Sequence, residues 1–444
     1  MLVSQTGRSA NHGLRILFST PTYVPFVGGT SAFVLAMARR LSAGGHQVTV
    51  LTTSAREAQD FWRQPGAGQP SLPSREAIER VTVERLQISY PWPAPYAFGL
   101  LRRLGLWLHL SKVPARVARP IQRHLSRWMP PLRGISEAYS HWVPQVDLIQ
   151  SEDSSWDGML VASAAAAKAA GKPLVVRPLM HLGDARVQAH YQMAHQVKAY
   201  RDAAAVLALS KREADALVAL GVSSERVHPI AMGIDPKPGL DPQALDAPAF
   251  RRELGIHGSM VAFLGANTYD KGAFTLAEAV IMLNLEGQPV DLVCAGPQSL
   301  SLEAFLRRQG ADARAVSLRR FHILGVVDEL VKHRLLATCD LLALPSQVDT
   351  FGIVLLEAWL HGKPVIGADA GGIPDLIQHE RSGLLVPFGN PRALADAIRR
   401  LLSQPLWAEQ LGAFGRQQTL EHYTWDRTYQ TLLGVYDAVL ASQR

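Results

Sequence analysis

Residues 339–375 read CDLLALPSQVDTFGIVLLEAWLHGKPVIGADAGGIPD. The continuous apolar run Leu341–Leu344, ended by Pro345-Ser346, predicts a buried parallel strand feeding a loop. After Gly352 the pattern IVLLEAWLHG predicts a helix, closed by Gly362 with Pro364 just beyond. Apolar on almost every side, this helix is expected to be buried, which makes Glu357 in its middle an anomaly. A carboxylate there needs a partner. A ligand hydroxyl would serve, and an ion pair within the protein is the plainer alternative. Asp349 lies eight residues earlier, at the strand's carboxyl end and just ahead of the helix N-terminus. Open α/β sheets bind ligands at that end, and helix N-termini hold phosphates there.

The same strand–helix alternation extends in both directions. Residues 14–19 (LRILFS) predict a first strand, which leads through PTYVPFVGGT into a helix over 31–42 and a second strand over 48–52. Gly28 and Gly29 stand in the turn at the first strand's carboxyl end, where glycine lets the backbone approach a ligand. Strands are also expected at VDLIQSED and PLVVRPLMH, separated by an alanine-rich helix ending at Ala170, and His181 closes the second of them. AVLALS precedes a helix capped by Ser210. A Pro- and Asp-rich linker over 236–250 then gives way to a second unit: MVAFLG, the loop ANTYDKG, the helix AFTLAEAVIML and VDLVCAG. Lys271, just before that helix, is placed to neutralise a diphosphate together with the helix dipole. The alternation predicts an α/β protein of two Rossmann-like, doubly wound domains, over 14–235 and 236–424, with a disordered tail over 1–13. A final helix, 425–444, carries Trp425, Tyr429, Leu432, Leu433, Tyr436 and Val439 at helical spacing, an apolar stripe that belongs to a core.

The spacing of Asp349 and Glu357, with Phe351-Gly352 after the first acid and Gly362-Lys363-Pro364-Val365 after the helix, resembles the signature of the family-4 glycosyltransferases. The Gly371-Gly372-Ile373-Pro374 turn belongs to the same signature. The resemblance covers most of the chain outside 1–13 and about 53–140. It implies the GT-B fold, with two domains facing a cleft and the last helix crossing back onto the N-terminal domain. It further implies a retaining transfer from a UDP- or GDP-sugar to an acceptor hydroxyl. By resemblance, Glu357 accepts the ribose hydroxyls, Asp349 and His181 hold the sugar, and Lys271 neutralises the departing diphosphate. Phe351, Gly352 and Ile353 line the donor site, Gly325-Val326 lies near the base, and Gly28 and Gly29 face the diphosphate and acceptor. The chain departs from the family in carrying Asp349 where Glu is usual, Met232 where Asn or Pro is commoner, and Ala266 where a second phosphate cation, Arg, normally stands. Arg319 or Arg320 is a substitute to look for. No Asp-x-Asp motif stands at a plausible site, so neither metal nor cofactor is expected, and the nucleotide sugar enters as substrate. Rival readings are a GT-B hydrolysing epimerase or phosphorylase, and an inactive sugar-nucleotide-binding protein.

At 444 residues, 48% of them hydrophobic, the chain is globular and too long for one ordinary core. A net charge of +7 suggests an anionic partner. Its two cysteines, Cys294 and Cys339, sit in apolar runs and read as buried thiols of a reducing compartment. The absence of a signal-peptide core or spanning run predicts a cytoplasmic protein. The stretch 85–136 stands apart. It contains no Asp or Glu, but carries Arg85, Arg102, Arg103, Lys112, Arg116, Arg119, Arg123, Arg127 and Arg133, interleaved with Trp92, Tyr96, Phe98, Trp107 and Trp128. Short amphipathic helices broken at Pro114, Pro120 and Pro130 are expected. They suit the anionic inner face of a membrane and a lipid-linked acceptor. The alternative is a basic insertion packed on its own domain. No nucleic-acid-binding motif accompanies the stretch, so nucleic acid is not expected as a partner.

Overall fold

The structure, a computed structural model, describes residues 13–65, 71–90, 94–236 and 245–443. Nearly all of the N-terminal tail, Trp92 and residues 237–244 of the linker lie outside them.

Eight strands build the first sheet: β1 (Arg15–Ser19), β2 (Gln47–Thr53), β3 (Arg75–Ile78), β4 (Val81–Leu86), β5 (Leu148–Glu152), β6 (Leu174–Arg177), β7 (Ala205–Ala208) and β8 (Val227–Pro229). Their order is β3-β4-β2-β1-β5-β6-β7-β8, parallel throughout except between β3 and β4. Six strands build the second: β9 (Ser259–Leu264), β10 (Val290–Ala295), β11 (Phe321–Gly325), β12 (Leu341–Leu344), β13 (Val365–Ala368) and β14 (Gly383–Val386). Their order is β11-β10-β9-β12-β13-β14, parallel throughout. Helices cover both faces, so strands such as LLAL and VDLVCA are buried along their length. Chain direction across the sheet reverses between β1 and β5 and again between β9 and β12. Loops leaving those neighbours diverge and open a crevice at the carboxyl ends. This is the GT-B arrangement of two Rossmann-like units.

The Trp425–Ala441 helix returns to the first unit, as the resemblance implied. Trp425 meets Phe33 of the Gly29–Ala43 helix edge-on at 6.2 Å, and Arg40 pairs with Asp426 at 2.8 Å. The Tyr436 hydroxyl donates to Gln150 on β5. Gln150 in turn bonds Glu152, which pairs with Arg177 of β6 at 3.1 Å, and both members of that pair are wholly buried. Burial pushes the Glu152 carboxyl above its usual range, against the pull of Arg177. This polar chain therefore fixes the crossing helix by geometry more than by ionic energy.

Several local expectations change. Pro178 ends β6, so His181 sits in a loop four residues past the strand. Residues 247–250, expected as linker, begin the Ala247–Glu253 helix, capped by Asp246. The basic stretch folds as two packed helices, Ala94–Leu110 and Ala115–Ser126. Pro120 lies inside the second without breaking it. It falls on the exposed side, where water can satisfy the carbonyl it frees. Arg85 is not a surface cation: it is buried, bonds Glu76 and donates to the Val24 carbonyl at 2.9 Å. Phe98 likewise turns inward, stacking on Trp156 at 5.4 Å. Cys294 and Cys339 are free and buried, and burial pushes both thiols up to about 12.

Candidate functional site

β9 and β12 are neighbours, and the loops leaving their carboxyl ends carry Lys271 and Asp349. Lys271 Nζ donates to Asp349 Oδ1 at 2.9 Å, with both side chains about three-quarters buried (26% and 21% exposed). Gly272 makes this contact possible. Its φ of +79° is left-handed, and a Cβ would lie 2.1 Å from the Pro345 carbonyl oxygen. Only glycine lets the lysine loop press against the loop that bears the acid. Gly372 N–H donates to the Asp349 carbonyl at 2.8 Å, which ties the Gly-Gly-Ile-Pro turn to the same point. Asp349 Oδ2 is buried with no hydrogen-bond partner among the described residues. An unsatisfied carboxylate oxygen is costly, and it is ready to accept from a ligand hydroxyl.

Glu357 departs from its expected setting. Its helix, Ile353–Leu360, buries Leu355, Leu356, Ala358 and Trp359, while Ile353 and Glu357 face a half-open side. Lys332, on the Glu329–Thr338 helix, reaches Glu357 at 2.7 Å and Glu329 at 2.8 Å. The plainer reading, an ion pair, therefore describes this structure. Burial works against the Lys332 charge, but Glu357 and Glu329 outweigh it and hold its pKa above the usual lysine value. Lys332 was missed because its partner lies 25 residues away on another helix.

His181 arrives from the first unit. Its Nδ1 lies 2.6 Å from the carbonyl oxygen of Val348, next to Asp349, and its ring is 5.5 Å from that of Tyr191. A carbonyl only accepts, so Nδ1 donates to it and Nε2 is left for another partner. Behind the histidine, Leu179 holds a left-handed φ of +59°, unusual for so bulky a residue. Glu213, buried on the Lys211–Ala219 helix, accepts the N–H groups of Met180 and Leu209, each at 2.7 Å. Burial pushes its carboxyl above the usual range, opposed by those two N–H groups. Glu213 thus props the His181 loop. The pattern Ser210-x-x-Glu213 reads as a helix-capping box, and Ser210 does accept from Glu213 N–H. The glutamate side chain goes instead to the neighbouring loop. Arg212 beside it crosses to the second unit: its N–H donates to Asp375 at 2.7 Å and its guanidinium to Asp369 at 3.2 Å.

The remaining expected residues are placed less tightly. Gly28 and Gly29 open the Gly29–Ala43 helix at the carboxyl end of β1, with nothing within 4 Å of where a Gly29 Cβ would point. Gly325 ends β11 and accepts from Gly296 N–H at 2.7 Å, while Val326 is exposed. Phe351 is buried 5.8 Å from the Tyr423 ring, so its side chain belongs to the core and Gly352 carries the chain into the helix. Arg320 does not replace the cation lost at Ala266. It pairs at 3.1 Å with Asp291, near the amino end of β10 and so across the sheet from Lys271. Next to Ala266, Asn267 is buried with neither amide atom hydrogen-bonded among the described residues, a second polar group the sequence did not single out.

A family model described as glycosyl transferases group 1 matches residues 258–404, and one described as a glycosyl transferase 4-like domain matches residues 28–233. An uncharacterized glycosyltransferase of Methanocaldococcus jannaschii is 26% identical over 435 residues, 95% of this chain and 98% of the relative. A D-inositol 3-phosphate glycosyltransferase of Jonesia denitrificans is 29% identical over 242 residues, 53% of this chain and 57% of the relative. The match therefore spans little more than half the length of that second protein. Among solved structures, Anabaena HepE in complex with UDP and glucose superimposes with a TM-score of 0.65 at 21% identity, over 96% of this chain and 100% of that one.

Proposed function

The chain belongs to the group 1 glycosyltransferases of family 4, and from that premise we propose that it transfers a sugar from a UDP- or GDP-sugar to an acceptor hydroxyl with retention at the anomeric carbon. The observation that carries the reading is the Lys271–Asp349 pair at the crevice between β9 and β12, each residue beside a helix N-terminus. In the proposed step the bond from the anomeric carbon to the diphosphate oxygen breaks and the bond to the acceptor oxygen forms. The acceptor proton passes to the departing diphosphate. Lys271 and the helix dipoles stabilise the charge that grows on that leaving group, without a metal ion. Asp349, through its unpartnered oxygen, and His181, through Nε2, hold sugar hydroxyls. Glu357 takes the ribose hydroxyls as Lys332 gives way. No side chain is assigned as a covalent nucleophile.

The same reading places the acceptor at an anionic membrane surface, on the cytoplasmic side. Support comes from the basic helical pair, which exposes Leu100, Leu104, Trp107, Leu110, Val117 and Ile121, with Trp128 exposed just past its end. Among the described residues no helix is long and apolar enough to cross a membrane, so this contact would be peripheral. A nucleotide-sugar-binding protein without turnover is the second reading, and Ala266 in place of a phosphate cation favours it. With the cognate donor and an acceptor mimic, product NMR in EDTA tests the proposal. It expects the donor's anomeric configuration in the product and undiminished rate. Inversion, or activity that needs added Mg²⁺, contradicts it.

A further inference from the structure

Away from the crevice, a groove of about 740 Å³ runs along the outside of the Asp157–Ala170 helix. One wall is that helix, through Val161, Ala162 and Ala166. The other is formed by Leu132, Ile135 and Val143, on and around the Ile135–Trp142 helix. Arg123 and Arg127 also line it. They enter at the Gly158 end, because the end of the Ala115–Ser126 helix abuts Gly158, where a Cβ would lie 2.7 Å from the Ser126 carbonyl oxygen. Neither arginine makes an ion pair among the described residues. Ser136, Tyr139 and Ser140 interrupt the second wall, so the groove is mainly apolar, with alanines along the whole of one wall, and cationic at one end. That is the complement of an amphiphile with a hydrocarbon chain and an anionic head.

The neighbouring surface says where such a molecule comes from. Val117 and Ile121 are exposed one turn apart on the helix that also carries Arg123; Trp128 is exposed in the turn just past Arg127 at its C-terminal end, and Trp107 is exposed on the partner helix. A tryptophan-bearing apolar face flanked by arginines matches a bilayer interface. We propose that the groove binds the hydrocarbon chain of an anionic membrane lipid, with Arg123 and Arg127 holding its phosphate. The proposal rests on the membrane reading above, but assigns a separate single-lipid site.

The test uses the full chain and lysophosphatidylglycerol kept below its micelle concentration, followed by titration calorimetry. Lysophosphatidylcholine and inorganic phosphate are the comparison probes. Saturable binding about tenfold tighter for the anionic lysolipid than for the zwitterionic one is expected, with no binding of phosphate alone. Ala162→Phe with Ala166→Phe, which fills the groove, should lower that affinity at least about tenfold. Arg123→Gln with Arg127→Gln should abolish the preference between the two lysolipids, and decides the matter if the phenylalanine variant does not fold. Binding unchanged in the folded phenylalanine variant, or a preference unchanged in the glutamine variant, overturns the proposal. Sedimentation with anionic vesicles separates it from the membrane reading. Vesicle binding without lysolipid binding leaves the helical pair as the contact and removes the groove. Lysolipid binding without vesicle binding keeps the groove and removes the membrane contact.

Discussion

The crevice of the second sheet and the basic helical pair of the first unit treat charge in opposite ways. In the crevice, Lys271 faces Asp349 and Lys332 faces Glu357, so each cation is matched by an acid of its own chain. On the helical pair, Arg103, Arg116, Arg123 and Arg127 have no ion pair among the described residues, and apolar side chains are exposed beside them. A half-buried charge must be matched by its own protein, since leaving it bare costs more than the pair gains. An exposed cation needs no internal partner and stays available to an external anion. Under the proposed function, a small ligand entering the crevice would exchange partners with these pairs, whereas the helical pair would take its counter-charge from outside.

Lys271→Ala should lower turnover of the cognate donor about 10²- to 10³-fold, or about 3–4 kcal/mol, because the charge it meets grows only as the diphosphate leaves. Steady-state kinetics with nucleotide binding measured alongside would show the split. An affinity loss as large as the turnover loss would make Lys271 a simple binding group.

Glu213 is a third kind of charge, buried and satisfied by N–H groups rather than a cation. Glu213→Ala leaves two buried donors unmatched and should cost about 3 kcal/mol in denaturant unfolding, with Glu213→Gln, which keeps one acceptor, losing about half of that. If both variants unfold like the wild type, the prop under His181 carries no stability.

His361 gives a smaller and pH-dependent effect. Burial first, then His333 and Lys363, lower its pKa from 6.5 to about 4. Between those values the unfolded chain holds more protons than the folded one. Its contribution is therefore fully present above pH 6.5 and is lost as pH falls toward 4, by at most about 3 kcal/mol and by less once solvent screening of the partly exposed ring is counted. Urea midpoints across that window for wild type and His361→Leu should converge on the acid side. Parallel curves would show that His361 titrates normally.

The smallest effects per residue belong to the helical pair, where each arginine contributes on the order of 1 kcal/mol to binding an anionic leaflet and salt screens it. Replacing Arg116, Arg119, Arg123 and Arg127 with Gln should release the protein from anionic vesicles at low salt. Equal binding to neutral vesicles would mean that the tryptophans alone make the contact.

What could be read from the sequence follows the same division. The strands were legible because helices cover both faces of each sheet, so LLAL and VDLVCA are apolar without interruption. Lys271 and Asp349 were legible because the crevice falls at the end of β9 and β12, where turn glycines and helix starts leave a local pattern. Lys332 and Arg320 were not, since packing between separate helices and strands chooses their partners. Arg85 and Phe98 show the converse error: an acid-free basic stretch looks uniformly exposed, yet β4 and the Trp156 stack draw these two inside. Glu213 left only a helix-capping signal, which says nothing of the loop across from it.

The central claim is that the crevice beside β9 and β12 is a working donor site built on Lys271 and Asp349. Release of free nucleotide from a panel of UDP- and GDP-sugars, wild type against Lys271→Ala, tests it most directly. One donor is expected to be consumed by the wild type, and its consumption to fall at least about a hundredfold in the variant. Consumption that survives the substitution, or no consumption of any sugar that binds, would contradict it.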